Sequence, residues 1–254
     1  MRFVHRTLGE EGDIYWLSNP APESITVNAS LRITGHRPML YNPEDGKISP
    51  VSYRMSPERT LVKLDMKPND AVFIVFTEKT DMASFQLPEA TRTTLVSQFL
   101  AWKIAFQAGR GAPVTVQTDT LKSYTASTTP GIRYFSGTAA YTNTFTLGKS
   151  QLKDNRRILL ELGDVKNLAE VYVNGQKITT LWKHPFTADI TQAVKAGKNQ
   201  LEVRVTNLWP NRLIGDEQPG VDRRITYVQM PFYQANAPLL PSGLLGPVSI
   251  VGEE

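Results

Sequence analysis

The sequence has no cysteine in its 254 residues. Disulfides, thiolate metal sites and cysteine nucleophiles are therefore excluded, whereas an oxidising compartment is not, because such compartments permit disulfides without requiring them. Histidine is nearly as scarce, since only His5, His36 and His184 occur and they are far apart along the chain. This pattern gives no support for a histidine-based metal site, and we expect no cofactor; it leaves calcium binding open.

Long apolar runs are also missing. The most apolar run, residues 71–76, is far too short to cross a bilayer, and the opening segment MRFVHRTLGEEG lacks the apolar core of a signal peptide. The net charge of +4 comes from 28 Lys and Arg against 24 Asp and Glu, with only isolated basic pairs at 156–157 and 223–224. We therefore expect neither a membrane nor a nucleic acid as a partner.

The sequence is rich in apolar residues at every second position. This alternation runs over residues 25–33 and recurs at 62–66 and 201–205, and it is typical of strands buried on one face. Residues 71–76 do not alternate and predict a strand covered on both faces. Asn174-Gly175 separates two strand-like runs and predicts a two-residue hairpin, because both residues accept the positive φ angles of a type I′ turn.

Helical patterns are few. Residues 94–106 fit a helix, and they fit equally well a strand in which Leu100, Trp102, Ile104 and Phe106 alternate; periodicity leaves both open. Residues 191–196, closed by Gly197, are compatible with one helical turn. Many short strands separated by turn residues predict an all-β fold of the sandwich or jelly-roll kind.

A domain boundary is predicted between residues 78 and 90. There, charged and polar residues and Pro88 follow the most apolar strand, and such a composition disfavours strand pairing. We divide the chain into a small β-sandwich, about 1–85, and a larger β domain, about 88–254.

Signatures of catalysis are missing from the sequence. It has no Gly-x-Ser-x-Gly, no His-Glu-x-x-His and no phosphate-binding loop, and Gly109-Arg-Gly111 is typical of a turn. Glycoside hydrolysis needs two carboxylates facing each other across a sugar. Asp216 and Glu217 are adjacent and would point to opposite faces of a strand, so a solvated acidic corner is favoured over a catalytic pair.

Aromatic residues beside polar ones suggest a binding role instead. An aromatic ring covers the apolar face of a sugar, while planar polar side chains bind its hydroxyl groups. Two segments offer this mixture: the first holds Trp182 and His184, and the second holds Trp209, Asn211, Arg212 and Asp216. A structural alternative stays open, in which both tryptophans cap the core and Arg212 pairs with Asp216.

Several motifs resemble one family in order along nearly the whole chain. They include GIRYFSGTA at 131–139, AEVYVNG at 169–175, NLWPNRLIGD at 207–216 and LLPSGLLGPV at 239–248. These resemble the C-terminal galactose-binding-like jelly roll of family 106 glycoside hydrolases, the α-L-rhamnosidases, a domain akin to the sugar-binding domain of the β-galactosidase family. The resemblance also favours a strand at 100–106, followed by the turn at 109–113.

The resemblance carries functional expectations. The family's catalytic carboxylates belong to an N-terminal barrel, and His5-Arg6 already resembles the region that follows it, so we expect no catalytic residue here. The resemblance implies a non-catalytic C-terminal module whose partners are a catalytic barrel domain or subunit and a rhamnose-containing glycan, in the periplasm or outside the cell. The alternatives are a free-standing carbohydrate-binding protein and, with less support, a self-sufficient hydrolase using Asp216 and Glu217.

Overall fold

The structure is a computed structural model that describes residues 1–153, 156–230 and 232–254. It separates into two compact units, residues 1–89 and 90–254. The predicted all-β fold, a small β-sandwich followed by a jelly roll, is confirmed. No helix in the described ranges is long and apolar enough to cross a membrane.

Unit 1 is a sandwich of a five-stranded and a four-stranded sheet. Its strands are β1 (Arg2–Thr7), β2 (Asp13–Asn19), β3 (Ile25–Leu31), β4 (His36–Tyr41), β5 (Ile48–Pro50), β6 (Tyr53–Met55), β7 (Thr60–Met66), β8 (Asp70–Lys79) and β9 (Ser84–Phe85). The first sheet has the order β1-β2-β8-β4-β5 and the second β3-β7-β6-β9. Apolar residues from the inner faces of both, among them Ile74 and Val62, meet in one core.

The alternation seen in the sequence explains these strands. In β7, Val62, Leu64 and Met66 are buried and the residues between them are exposed. In β8, Ile74, Val75 and Phe76 are buried consecutively, as expected for a strand covered on both faces. The strand continues to Lys79, so it extends into the region predicted as a boundary.

Unit 2 consists of two larger sheets and a small one. The strands are β10 (Arg92–Val96), β11 (Trp102–Phe106), β12 (Thr115–Thr118), β13 (Thr138–Leu147), β14 (Arg157–Glu161), β15 (Asp164–Lys166), β16 (Leu168–Val173), β17 (Gln176–Leu181), β18 (Thr187–Asp189), β19 (Gly197–Thr206), β20 (Gly243–Gly246) and β21 (Ser249–Glu253). The six-stranded sheet has the order β12-β11-β13-β19-β16-β17, the four-stranded sheet β10-β21-β14-β18, and β15 pairs with β20.

Helices are short in the described residues. The α-helices are α1 (Pro130–Arg133) and α2 (Pro210–Asp216), and single 3₁₀ turns cover Gly9–Glu11, Tyr124–Ala126 and Lys149–Gln151. The core of unit 2 lies between the two larger sheets, where Tyr141 and Val203 of one meet Leu160 and Ile250 of the other.

The structure tests three local predictions. Asn174 and Gly175 have φ angles of 51° and 82° and join β16 to β17. The ambiguous 94–106 segment holds the end of β10 and the whole of β11, with Trp102, Ile104 and Phe106 buried; Leu100 lies outside the strand and is exposed. Residues 191–196 make the single turn that the sequence allowed, though no assigned helix: the amides of Ala193 and Val194 both donate to the carbonyl of Ile190, and Gly197 then begins β19.

Candidate functional site

The segment that leaves β19 is held by side chains of its own sequence. The side-chain amide of Asn207 accepts a hydrogen bond from Gly137 N through Oδ1 at 2.8 Å and donates one from Nδ2 to Phe135 O at 2.8 Å. Pro210 is the first residue of α2, where its missing N–H costs no hydrogen bond. Helix α2 therefore begins after the short link 207–209 and lies against the segment before β13.

Close packing of α2 requires a glycine. A Cβ atom at Gly215 would lie 2.5 Å from Tyr134 Cβ and 2.6 Å from Arg212 Nη2, closer than real Cβ atoms approach other heavy atoms. The backbone of α2 therefore lies against Tyr134, and the Arg212 guanidinium lies beside it.

Three predicted sugar-binding residues on α2 are buried. Asn211, Arg212 and Asp216 are 2%, 6% and 4% exposed. Arg212 Nη2 lies 2.9 Å from Asp216 Oδ1, so this part of the structural alternative is confirmed. The prediction of a solvated acidic corner is wrong for Asp216, because tertiary packing covers its carboxylate.

The buried side chains of α2 bond to the long segment that follows the helix. Asp216 Oδ2 accepts hydrogen bonds from Ile225 N at 3.1 Å and from Thr226 N at 2.7 Å. Asn211 donates to Leu240 O at 2.7 Å and accepts from Leu240 N at 2.8 Å. The polar atoms that the sequence suggested for sugar hydroxyls therefore bind the chain between α2 and β20 at two places, residues 225–226 and Leu240.

The electrostatics of Asp216 do not suit an acid catalyst. Burial by itself raises the pKa of this carboxyl, but the hydrogen bonds from Thr226 and Ile225 and the charge of Arg212 outweigh it and lower the pKa below its ordinary value. Glu217 Oε2 lies 3.0 Å from Arg224 Nη2. Asp216 is thus held as an anion, whereas a general acid needs a raised pKa.

Trp209 is partly exposed and is stacked on an arginine. Its side chain is 43% exposed, and the guanidinium carbon of Arg110 lies 4.7 Å from the centre of the indole ring, a distance typical of a cation–π contact. The proposal that Trp209 caps the core is therefore wrong. Arg110 was expected only as part of a turn, and no local signal could have paired it with Trp209, which is far away in the chain.

Trp182 and His184 lie at the surface after β17. Trp182 is 60% exposed, so it does not cap the core either. His184 Nε2 lies 3.6 Å from Asp164 Oδ1, and Lys166 Nζ lies 2.8 Å from the same oxygen. The structure therefore places Asp164 and Lys166 beside the predicted residues. Both lie in the three-residue strand β15, whose sequence pattern is too short to indicate a binding site.

A cleft of about 190 Å³ lies beside this cluster. Its lining includes Lys166, Leu208, Asn211 and Leu240, so Lys166 belongs both to the cleft and to the ion pair with Asp164. The volume is below that of pockets for drug-sized ligands. No group of three or more His, Asp or Glu side chains in the described part of the chain is arranged to hold a metal ion.

Two family models match different parts of the chain. The model described as alpha-L-rhamnosidase, glycoside hydrolase family 106, matches residues 1–55. The model described as glycosyl hydrolases family 2, sugar binding domain, matches residues 79–231.

Individual proteins show the same relationship. The solved rhamnosidase from Novosphingobium sp. PP1Y is 42% identical, with a TM-score of 0.92, and the match covers 98% of this chain and 23% of that chain. A protein of Formosa agariphila, assigned to the β-glucuronidases by name only, is 42% identical over 172 residues, which are 59% of this chain and 15% of that protein.

These matches confirm the resemblance to α-L-rhamnosidases that the motifs predicted. The chain spans less than a quarter of the length of either relative. It is a carbohydrate-associated module with a sugar-binding domain fold. Because the sugar-binding model covers more than half of its residues, the chain belongs to the glycosyl hydrolases family 2, sugar binding domain family.

Proposed function

We propose that this chain is the non-catalytic, carbohydrate-associated module of an α-L-rhamnosidase-like glycoside hydrolase and that it supports the catalytic domain. One observation carries the proposal: nearly the whole chain superimposes on a rhamnosidase, yet it corresponds to 23% of that protein. The buried, anionic state of Asp216 supports the non-catalytic role. We further propose that its two domains are residues 1–85 and 88–254.

Hydrolysis of an aryl α-L-rhamnoside by the purified 254-residue chain tests the non-catalytic role. We expect no release of the aryl group above the buffer rate. Release that is lost in both Asp216→Asn and Glu217→Gln would instead establish a self-sufficient hydrolase and overturn the proposal.

A second candidate is a free-standing carbohydrate-binding protein that recognises rhamnose-containing glycans. The exposure of Trp182 and Trp209 favours it, because an exposed indole face suits the apolar side of a sugar. In this proposal the sugar stacks on an exposed indole, either Trp182 beside the His184 and Lys166 cluster or Trp209, whose neighbours Leu208 and Pro210 line the 190 Å³ cleft.

Calorimetric titration with rhamnose-containing oligosaccharides tests this site. Loss of an aromatic stacking face is expected to weaken affinity about tenfold in Trp182→Ala or Trp209→Ala. Val114→Ala is the matched control, since Val114 is 77% exposed and lies outside both segments. Equal affinity in all three variants would remove the site.

A further inference from the structure

A groove of about 590 Å³ opens on unit 2, and its described lining contains neither α2 nor Trp182. Three segments line it: residues 97–102, which lead from β10 into β11, residues 119–121, which follow β12, and residues 245–248, which lead from β20 into β21. Strands β10 and β12 are edge strands of the two larger sheets, so the groove lies where the chain leaves the edges of the sandwich. Its volume falls within the range of about 300–1,000 Å³ that is typical of small-molecule sites.

The backbone holds Leu100 at the surface of this groove. Leu100 is 63% exposed, although the link that carries it is fixed on both sides. Leu100 O accepts a hydrogen bond from Asn143 Nδ2 at 2.9 Å, and Ala101 N donates one to Asp119 Oδ1 at 3.0 Å. Ala101 has a φ angle of 58°, which is uncommon for a residue with a Cβ atom and costs about 1–3 kcal/mol. The exposure of Leu100 is therefore a property of the folded unit.

The lining combines aliphatic and polar side chains. Leu100, Leu121 and Leu245 supply aliphatic groups, together with the rings of Phe99 and Trp102, which are 9% and 1% exposed. Sites for small molecules usually have such a mainly apolar lining, with a few polar groups that orient the ligand. The polar side chains, all of them exposed, are those of Ser97, Gln98, Asp119 and Thr120.

The charge of the groove favours a neutral ligand. Asp119 is the one charged residue in the described lining. The lining therefore offers no cation to hold an anionic ligand such as a uronate, and the Asp119 carboxylate repels it. The carboxylate of Asp119 and the amide of Gln98 can instead form hydrogen bonds with sugar hydroxyl groups.

We propose that this groove binds a neutral 6-deoxyhexose unit of a glycan, and the choice of L-rhamnose as that sugar rests on the proposed function. A 6-deoxyhexose carries a methyl group where an ordinary hexose carries a hydroxymethyl group. The methyl group contacts the leucines of the lining, and the ring hydroxyls bond to Gln98 and Asp119. A hydroxymethyl group would leave its hydroxyl unpaired against the leucines, so the groove distinguishes the two kinds of sugar.

A matched pair of sugars tests this binding. Methyl α-L-rhamnoside and methyl α-L-mannoside differ by one oxygen atom at C6, and the 254-residue chain is titrated with each by ligand-observed NMR. We expect the rhamnoside to bind at least about fivefold more tightly, with the strongest saturation transfer at its C6 methyl group. Methyl β-D-glucuronide, an anion at pH 7, is expected not to bind. Equal affinities for the rhamnoside and the mannoside, or no binding of the rhamnoside, would overturn the proposal.

Two substitutions locate the bound sugar. Leu100→Ser and Gln98→Ala are each expected to weaken rhamnoside binding at least about fivefold, because the first removes an aliphatic contact and the second a hydrogen-bonding group. Val114→Ser is the matched control and is expected to leave the affinity unchanged, since Val114 is 77% exposed and lies outside the groove. All three side chains are exposed, so the thermal unfolding transition is expected to stay the same.

A background without the exposed indoles separates this groove from them. In Trp182→Ala with Trp209→Ala, we expect the rhamnoside still to bind and Leu100→Ser still to weaken it. No binding in that background would place the sugar at the indoles and refute the groove.

The proposed function is judged separately by hydrolysis of an aryl α-L-rhamnoside. A chain that releases the aryl group refutes the non-catalytic role, whatever the groove binds. An inactive chain that does not bind methyl α-L-rhamnoside refutes only the groove.

Discussion

Asp216 connects α2 to the segment that follows it. Its side chain is 3% exposed, and its two carboxylate oxygens face different groups: Oδ1 the Arg212 guanidinium, Oδ2 the amides of residues 225 and 226. A buried carboxylate with this many partners is costly to replace, because each partner then loses its own interaction.

Asp216→Asn is expected to lower the free energy of unfolding at pH 7 by about 3 kcal/mol, because it leaves the charge of Arg212 buried without its partner. Glu217→Gln is the control, since its partner Arg224 is 53% exposed and such surface pairs contribute about 1 kcal/mol or less. Urea unfolding measures both. Equal losses in the two variants would contradict the role of burial.

The difference between wild type and Asp216→Asn is also expected to depend on pH. The pKa of Asp216 is lowered from its ordinary value of 3.8, so the stabilisation by its charge is present above about pH 3.8 and is lost as the pH falls through the lowered pKa. Urea unfolding at pH 7 and pH 3 measures this. A difference of the same size at both pH values would contradict it.

Tyr124 and Tyr141 share a buried hydrogen bond in the core of unit 2. Their hydroxyl oxygens are 2.6 Å apart, and Leu244 N donates to Tyr141 at 3.1 Å. Tyr141→Phe is expected to lower the free energy of unfolding by about 1–3 kcal/mol, since a buried amide and a hydroxyl lose their partner. Denaturant unfolding measures this loss, and Tyr227→Phe, at a 91% exposed position, is the control.

The ionisation of Tyr141 gives a second measure of the same site. Burial raises the pKa of Tyr141 to about 12, so its stabilising contribution is present below pH 10 and is lost as the pH rises towards 12. Ultraviolet titration is expected to show a tyrosinate signal that appears only above pH 11 and that Tyr141→Phe reduces. Complete titration near pH 10 in the folded protein would contradict it.

At the scale of elements, strand β21 is tied to both of its neighbours by one carboxylate. Glu253 accepts from Arg92 of β10 at 2.8 Å and from Arg157 of β14 at 2.9 Å. The carboxylate is 12% exposed and the arginines are 56% exposed. Solvent therefore screens the pairs, and their effect depends on ionic strength.

Glu253→Gln is expected to lower the free energy of unfolding by up to about 1 kcal/mol at low salt and by clearly less in 1 M NaCl. Glu202→Gln is the matched control, because Glu202 accepts from Arg204 of the same strand and joins no strands. Thermal unfolding at the two salt concentrations measures both. A salt-independent loss in Glu253→Gln would contradict the electrostatic cause.

At the scale of the whole molecule, each unit has a core of its own. Ile74 belongs to the core of unit 1 and Leu160 to that of unit 2, and both are fully buried. Ile74→Ala and Leu160→Ala are each expected to cost about 2–5 kcal/mol. Hydrogen exchange is expected to show lost protection chiefly in the unit that carries the substitution; equal loss in both units would contradict independent cores.

The strands were predictable from sequence because alternation is a local property. The buried positions of β7 follow directly from the spacing of its apolar residues, whereas spacing left β11 open between a helix and a strand. Asn174-Gly175 determines its turn through its own φ angles. Residues 191–196 were less predictable, because one turn has too few residues to separate a helix from a bend.

The amino-acid sequence by itself determined the all-β class, the hairpin and the family resemblance, since these depend on local periods and contiguous motifs. Only the tertiary structure decided what Asn211, Arg212 and Asp216 do. The partners of Asn211 and Asp216 lie 29 and 10 residues away in the chain, and burial depends on what the fold packs over a side chain. Residues that look suited to bind a sugar therefore hold a loop, and the exposed aromatic side chains lie on that loop and at the strand ends.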